Sequence, residues 1–309
     1  MTPPSEQREL LALARRASVA RDVEFTTSPF VAEVARFAAE AGQPACREKL
    51  REVLAQLIEA GEPEIDELAY PHGVRELIRK QFARIRAELL EKEDEYFDVG
   101  DFRFRSDCRI ACFGRVPVGP QHLEIDGLPG SLLYRGGLGQ SWRLLGTALA
   151  SRGRRPYYAL HLANDIWPPA FQLVYSAEAQ LKMFHRLAGC LAMNPHVRGV
   201  LSCGWLFDPQ LDKVSPALAY LRRGWIDNGG RLFYWGRSDD SDRMATKNSR
   251  PRQQRFQEGV YRPAEYLVAF PRKRLLAWAR AHPEYADSGD APTAPVARAE
   301  GFAEDVPAG

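Results

Sequence analysis

Seven residues, Arg135-Gly136-Gly137-Leu138-Gly139-Gln140-Ser141, stand between a short apolar run, Leu132-Leu133-Tyr134, and a helical pattern that continues to about Arg152. A strand, a glycine loop and a helix in that order expose backbone N–H groups at a helix N-terminus. There the helix dipole favours a phosphate or pyrophosphate. The spacing is not Gly-x-Gly-x-x-Gly and contains no Gly-Lys-Ser/Thr, so neither a dinucleotide fold nor a P-loop is indicated. The same glycines also suit a tight strand-to-helix turn with no ligand.

Two further places carry groups able to move a proton. His161 lies near the end of a predicted strand over 157–162, with Asn164 and Asp165 just after it. Carboxyl ends of strands are where α/β folds place their sites. A histidine there is a candidate general base with Asp165 orienting it, or a sheet histidine bonded to backbone. Asp208 ends the apolar run Gly199 to Phe207 and reads either as an acid or base or as an Asx cap. Trp167, Trp205, Trp225 and Trp235 can line a groove for an apolar or peptide ligand, or fill a core. Lys247, Arg250, Arg252 and Arg255 can clamp a phosphate or carboxylate, or simply be solvated. The six histidines form no spaced ligand set and Cys108-x-x-x-Cys112 has no second pair, so no metal site is expected. No Gly-x-Ser-x-Gly elbow or Cys/His pair points to covalent catalysis.

Helices come first among the elements that must position these groups. Ser28-Pro29 starts one that Gly42 closes; another runs from about Ala45 to Ala60; a third begins near His72. Their apolar residues, such as Val74, Ile78, Phe82 and Ile85, recur at helical spacing. The character changes near Tyr96. Phe102-Arg103-Phe104-Arg105 alternates like a strand, and strands are predicted for Cys108 to Val116, His122 to Ile125, 132–134, 157–162, 199–207, 231–235 and 266–270. Helices capped by Ser176 and opened by Pro271, and one at 215–223, separate the later ones. Strands alternating with helices imply an α/β sandwich with a mixed or parallel sheet, with α+β as the alternative. The organisation expected is a helical region 1–95, an α/β domain 96–283 and a disordered tail 284–309 of Ala, Pro, Gly and acid.

The chain has 309 residues, 45% hydrophobic and 27% charged, with a net charge of +2. It is long enough for a sizeable core, and its mean field recruits neither nucleic acid nor an acidic membrane. No run is long enough to span a bilayer, and the start has no signal-peptide pattern. Five unpatterned cysteines fit a reducing compartment, so a cytoplasmic location is expected. Cys190 and Cys203 lie in apolar stretches and are expected to be buried.

The loop at Arg135 resembles the acyl-CoA pyrophosphate loop of GNAT-type N-acyltransferases, in which Arg or Gln begins a short run of small residues before a helix. Arg135 would begin it; Leu138 and Gln140 depart from the small residues of that pattern. Across about residues 100–280 the chain also resembles a bacterial protein family that has no assigned reaction. The motifs are Leu133-Tyr134-Arg135-Gly136-Gly137-Leu138, Trp205-Leu206-Phe207-Asp208-Pro209, Val214 to Arg222, Glu258 to Pro263 and Tyr266 to Arg272. That resemblance implies an acidic residue two positions before the strand histidine, where this chain has Ala159, and so a weakened or lost catalytic acid.

Two functions are therefore expected. One is a GNAT-like acyltransferase acting on an amine of a small molecule or peptide. Arg135, Gly136, Gly137, Gly139 and Ser141 would hold the phosphates of acyl-CoA, the sheet's open edge or a splay in it would admit the pantetheine arm, and His161 with Asp165, or Asp208, would deprotonate the amine. The other is a non-catalytic accessory factor in a biosynthetic pathway that takes a peptide or partner protein by strand addition.

Overall fold

The computed structural model describes residues 5–162 and 176–288. Six helices precede the sheet: α1 (Ser5–Val19), α2 (Asp22–Thr26), α3 (Pro29–Ala41), α4 (Gln43–Gly61), α5 (His72–Glu88) and α6 (Phe102–Ala111). The first three predicted helices are α3, α4 and α5. Phe30 and Val34, Leu50, Val53, Leu54 and Leu57, and Val74, Ile78, Phe82 and Ile85 face inward from them, as their spacing requires.

Residues 102–111 are helical where alternation predicted strands. Asp101 explains the start, because its carboxylate accepts from the Arg103 and Phe104 amides as an N-cap. The rest of α6 is buried on every side, and it carries polar residues because they have partners within the fold. Arg105 meets Asp22, Asp107 meets Arg84 and Tyr96, and Arg109 meets Glu124. Of the strand expected over 108–116, only Val116–Pro117 (β1) exists.

The sheet continues with β2 (Gln121–Asp126), β3 (Tyr157–Leu162), β4 (Gly199–Gly204), β5 (Arg231–Gly236) and β6 (Glu265–Pro271), in the order β1-β2-β3-β4-β6-β5. All neighbours are antiparallel except β3 and β4, which run parallel. The fold is thus α/β with a mixed sheet. Period-2 alternation divides its side chains. Tyr158, Leu160, Val200, Val268 and Phe270 join one large core with the N-terminal helices. Tyr157, Leu201, Phe233, Leu267 and Ala269 form a second cluster on the opposite face.

That second face is covered by α7 (Leu132–Arg135) and α8 (Gly137–Ala150), through Leu132 and Leu144. The predicted strand at 132–134 is therefore a helical turn, begun by amides bonded back to Pro129, Gly130 and Ser131. The large core is completed by α9 (Ala177–Met193) and α14 (Arg272–Ala281), with α10 (Leu211–Val214), α11 (Ala219–Asp227), α12 (Asp239–Thr246) and α13 (Arg250–Gln257) between. Ser176 caps α9 as expected, accepting from the Ala179 amide. The polar stretch 237–258 is ordered as α12 and α13 because Ser238 and Ser249 each cap a helix. Beyond α14, Tyr285 stacks on Trp278 and Asp287 pairs with Arg186 at 2.6 Å. The first residues of the expected tail thus pack on α9 and α14.

Candidate functional site

The one parallel junction of the sheet is also where it opens. Tyr158, Ala159 and Leu160 of β3 pair with Val200, Leu201 and Ser202 of β4. After those three pairs the strands part. His161 and Leu162 stay with β2, opposite His122 and Gln121. Cys203 and Gly204 stay with β6, opposite Leu267 and Tyr266. Between the parting strands lies a cavity of about 430 Å³. Leu160, His161, Ser202, Cys203 and Gly204 line its floor. Asp22, Phe102 and Arg115 close it from the N-terminal half, and Asp240, Ser241 and Met244 of α12 from the other side.

His161 is half-exposed on this wall, and its Nε2 lies 3.8 Å from Glu124 Oε2. Glu124 is the cross-strand neighbour of Ala159. A carboxylate thus stands on β2, directly across from the position where the resemblance implied an acid. Two guanidiniums hold it. Arg109 donates to both oxygens at 2.8 and 2.9 Å, and Arg115 donates to Oε1 at 2.8 Å and to Ser106 Oγ at 3.0 Å. Burial pushes the Glu124 carboxyl up, but the Arg109 hydrogen bonds and the adjacent positive charges overcome it and bring it to about 2. Glu124 is therefore a fixed anion that orients its neighbours, not a proton acceptor at neutral pH. Burial also lowers the His161 pKa; Glu124 opposes that, and Arg115 and Arg109 add to it. The imidazole is neutral near pH 7 and able to accept a proton.

The rest of the cavity is poor in cations. Glu265 accepts from the Ser241 and Ser238 hydroxyls. Gln121 is buried and lines the wall, and its Oε1 has no hydrogen-bond partner among the described residues. Cys203 opens into the cavity, which corrects the expectation that it is a buried core residue. Burial from bulk solvent and the Glu265 charge push its thiol up to about 12, so it is no nucleophile at neutral pH.

The other candidates lie elsewhere. Asp208 is fully buried and outside the cavity lining. Its oxygens accept from the Gln210 and Ala264 amides, each at 2.9 Å, which ties two loops together. Burial raises its pKa against those bonds. Asp165, Asn164 and Trp167 lie outside the described residues. Trp205 borders the cavity, Trp225 is in the large core and Trp235 packs beside the second cluster. Arg252 is buried, donating to Ala245 O and Ser215 Oγ with its guanidinium over the Trp205 ring, and Arg255 donates to Lys213 O.

Between Arg135 and Ser141 three side chains, those of Arg135, Gln140 and Ser141, bond to backbone within the fold. Arg135 donates to Trp235 O at 2.6 Å and lies over that indole. Ser141 Oγ donates to Leu133 O and Gly137 O. Gln140 folds back over Gly136, where a Cβ would come within 2.3 Å of its amide carbon. Around Gly137 and Gly139 the space is open. The sequence places His161 correctly at a strand end. It gives no sign of Glu124, Gln121 or Arg115, although one signal exists: Arg109 interrupts the apolar run Cys108 to Cys112, and a charge buried there demands a partner.

No family model matches the chain, and no curated protein does. Among solved structures it is similar to an acyltransferase in complex with decanoyl-CoA, at 12% identity and a TM-score of 0.46, over 87% of this chain and 80% of that one. An acyltransferase in complex with CoA and 10C-teicoplanin matches at 13% identity and 0.46, over 87% and 81%. A complex with decanoyl-CoA and teicoplanin matches at 12% and 0.43, over 88% and 90%.

Proposed function

We propose that this protein is an acyltransferase that moves an acyl group from a CoA thioester to an amine, with the thioester arm in the gap between β3 and β4. The observation that carries this reading is the splay itself, with His161 on its wall. Each strand leaves the other after three pairs and turns a backbone edge toward a cavity. Such edges match an extended arm with alternating amide donors and acceptors, which pantetheine provides. An amine entering from the α12 side meets acceptors: Gln121 Oε1, which has no partner among the described residues, and the Glu265 carboxylate. His161 takes one proton from the nitrogen as that nitrogen bonds to the thioester carbonyl carbon. The C–S bond then breaks, and the CoA thiolate leaves and is protonated by solvent. Glu124, fixed by Arg109 and Arg115, holds the imidazole and favours the imidazolium that forms. We assign the pyrophosphate no contact at Arg135 and Ser141, because those side chains already bridge α7, α8 and β5.

Calorimetry with CoA and octanoyl-CoA tests binding, and Cys203→Trp, which fills the gap from an accessible position, removes it. With a panel of primary amines, thiol release by His161→Asn falls by about 10²–10⁴ while CoA affinity stays unchanged. The wild-type rate persists as pH falls through about 6.5, the free imidazole value, because the His161 pKa is lowered. Absence of both heat and thiol release with every thioester would remove the proposal. The same edges also suit an extended peptide added as a strand, the reading of a non-catalytic accessory factor. Peptide binding that CoA does not displace, without thiol release, would favour it.

A further inference from the structure

We infer that the outer face of α8 is a docking surface for an anionic lipid bilayer, independent of the reaction in the cavity. Among the described residues, thirteen large hydrophobic side chains are exposed, and five of them lie within sixteen residues: Tyr134 (88%), Leu138 (82%), Trp142 (73%), Leu145 (43%) and Leu149 (78%). The last four recur at i, i+4, i+7 and i+11. At roughly 100° per residue they fall within about 60° of one another on the helix. The opposite side of α8 is the buried one, carrying Gln140, Leu144 and Thr147. The seam is thus the face α8 turns away from the protein, with no described side chain placed to cover it.

Charge selects the occupant. From Gly127 to Asn164 the chain has no Asp or Glu, yet it has Arg135, Arg143, Arg152, Arg154 and Arg155. Arg143 is the one charge on α8; Arg135 precedes the helix and the other three follow it. All five are exposed. A second copy on this face would set mostly arginines against arginines; among the described residues the ion pair made by these five is that of Arg155 with Asp126, at 3.7 Å. The free charge this rim presents is cationic, because the Asp126 carboxylate at its edge is shared between Arg155 at 3.7 Å and Arg21 at 3.9 Å. Acyl chains ask nothing polar of the seam, and lipid phosphates accept from the guanidiniums around it. A helix lying in the interface, with Trp and Leu inward and Arg at the headgroups, has this composition.

The test is sedimentation with large unilamellar vesicles of phosphatidylcholine alone and with about a third phosphatidylglycerol. Wild type is expected to partition onto the phosphatidylglycerol vesicles, less so at high salt. Trp142→Glu/Leu145→Glu lowers that partition about tenfold or more, with an unchanged melting temperature because both residues are exposed. Arg143→Ser/Arg155→Ser lowers it on anionic vesicles only. Failure of wild type to bind either vesicle overturns the inference, as does equal binding by the Glu variant. Two other occupants are read in the same experiment. A dimer in sedimentation velocity that Trp142→Glu dissociates, without vesicle binding, assigns the face to a second copy. A fall in melting temperature on Trp142→Glu, with vesicle binding unaltered, assigns it to another segment of the chain. Either result overturns the bilayer.

Discussion

Glu124 stays ionised in a buried place only because Arg109 and Arg115 both reach it. Arg109→Met therefore strands part of a buried charge and is expected to cost about 3–5 kcal/mol in urea unfolding. Arg109→Met combined with Glu124→Gln removes charge from both sides and is expected to recover much of that loss. Equal destabilisation by the single and double variants would show that packing, not charge, accounts for it. This cluster was half legible. His161 could be read from its place at a strand end. Its acidic partner could not, because Glu124 lies 37 positions earlier and meets it only through the β2–β3 register. Ala159, taken alone, implies a lost acid; the register sets the Glu124 carboxylate of the next strand across from it. Asp208, at an equally suggestive strand end, is taken up by the Gln210 and Ala264 amides, as an Asx cap would be.

Short apolar runs misled at the level of elements. Leu132-Leu133-Tyr134 carries three residues of pattern, too few to separate a strand from a helical turn. The alternation at 102–105 opens a helix that is buried from Phe104 onward, where its polar residues are paired internally. The glycine segment after residue 135 does mark a helix start, but its neighbours serve the sheet edge. Gln140 Nε2 donates to Tyr234 O at 2.9 Å and Oε1 accepts from Tyr234 N at 2.7 Å, so one side-chain amide pairs with β5 as another strand would. Gln140→Met keeps the volume and leaves both Tyr234 groups, and Leu132 O, without that partner. The expected loss is about 2–3 kcal/mol, seen in thermal unfolding together with faster proteolysis within α7 and α8. An unchanged melting temperature would mean that water satisfies the β5 edge equally well.

Across the whole molecule, averages hide what matters. A net charge of +2 conceals 38 consecutive residues with no acid, and a count of six histidines conceals that His122 is buried among cations. Burial, reinforced by Arg115 and Arg84, lowers the His122 pKa to about 3. The unfolded chain binds that proton near 6.5 and the folded one only near 3, so stability falls as pH drops through this window. Glu124 adds a second window. Its folded pKa of about 2 lies below the ordinary carboxyl value of 4.5, so its contribution is complete above 4.5 and is lost as pH falls toward 2. Acid unfolding should therefore begin with His122 and steepen below pH 4.5 as Glu124 joins. His122→Leu fills the same buried place without a titrating group. Its melting temperature should decline less than that of wild type between pH 6.5 and 4.5, with the steep part below 4.5 retained. Parallel slopes for the two proteins across the upper window would show that another group drives it, and His161, whose pKa burial also lowers, would be the next to replace.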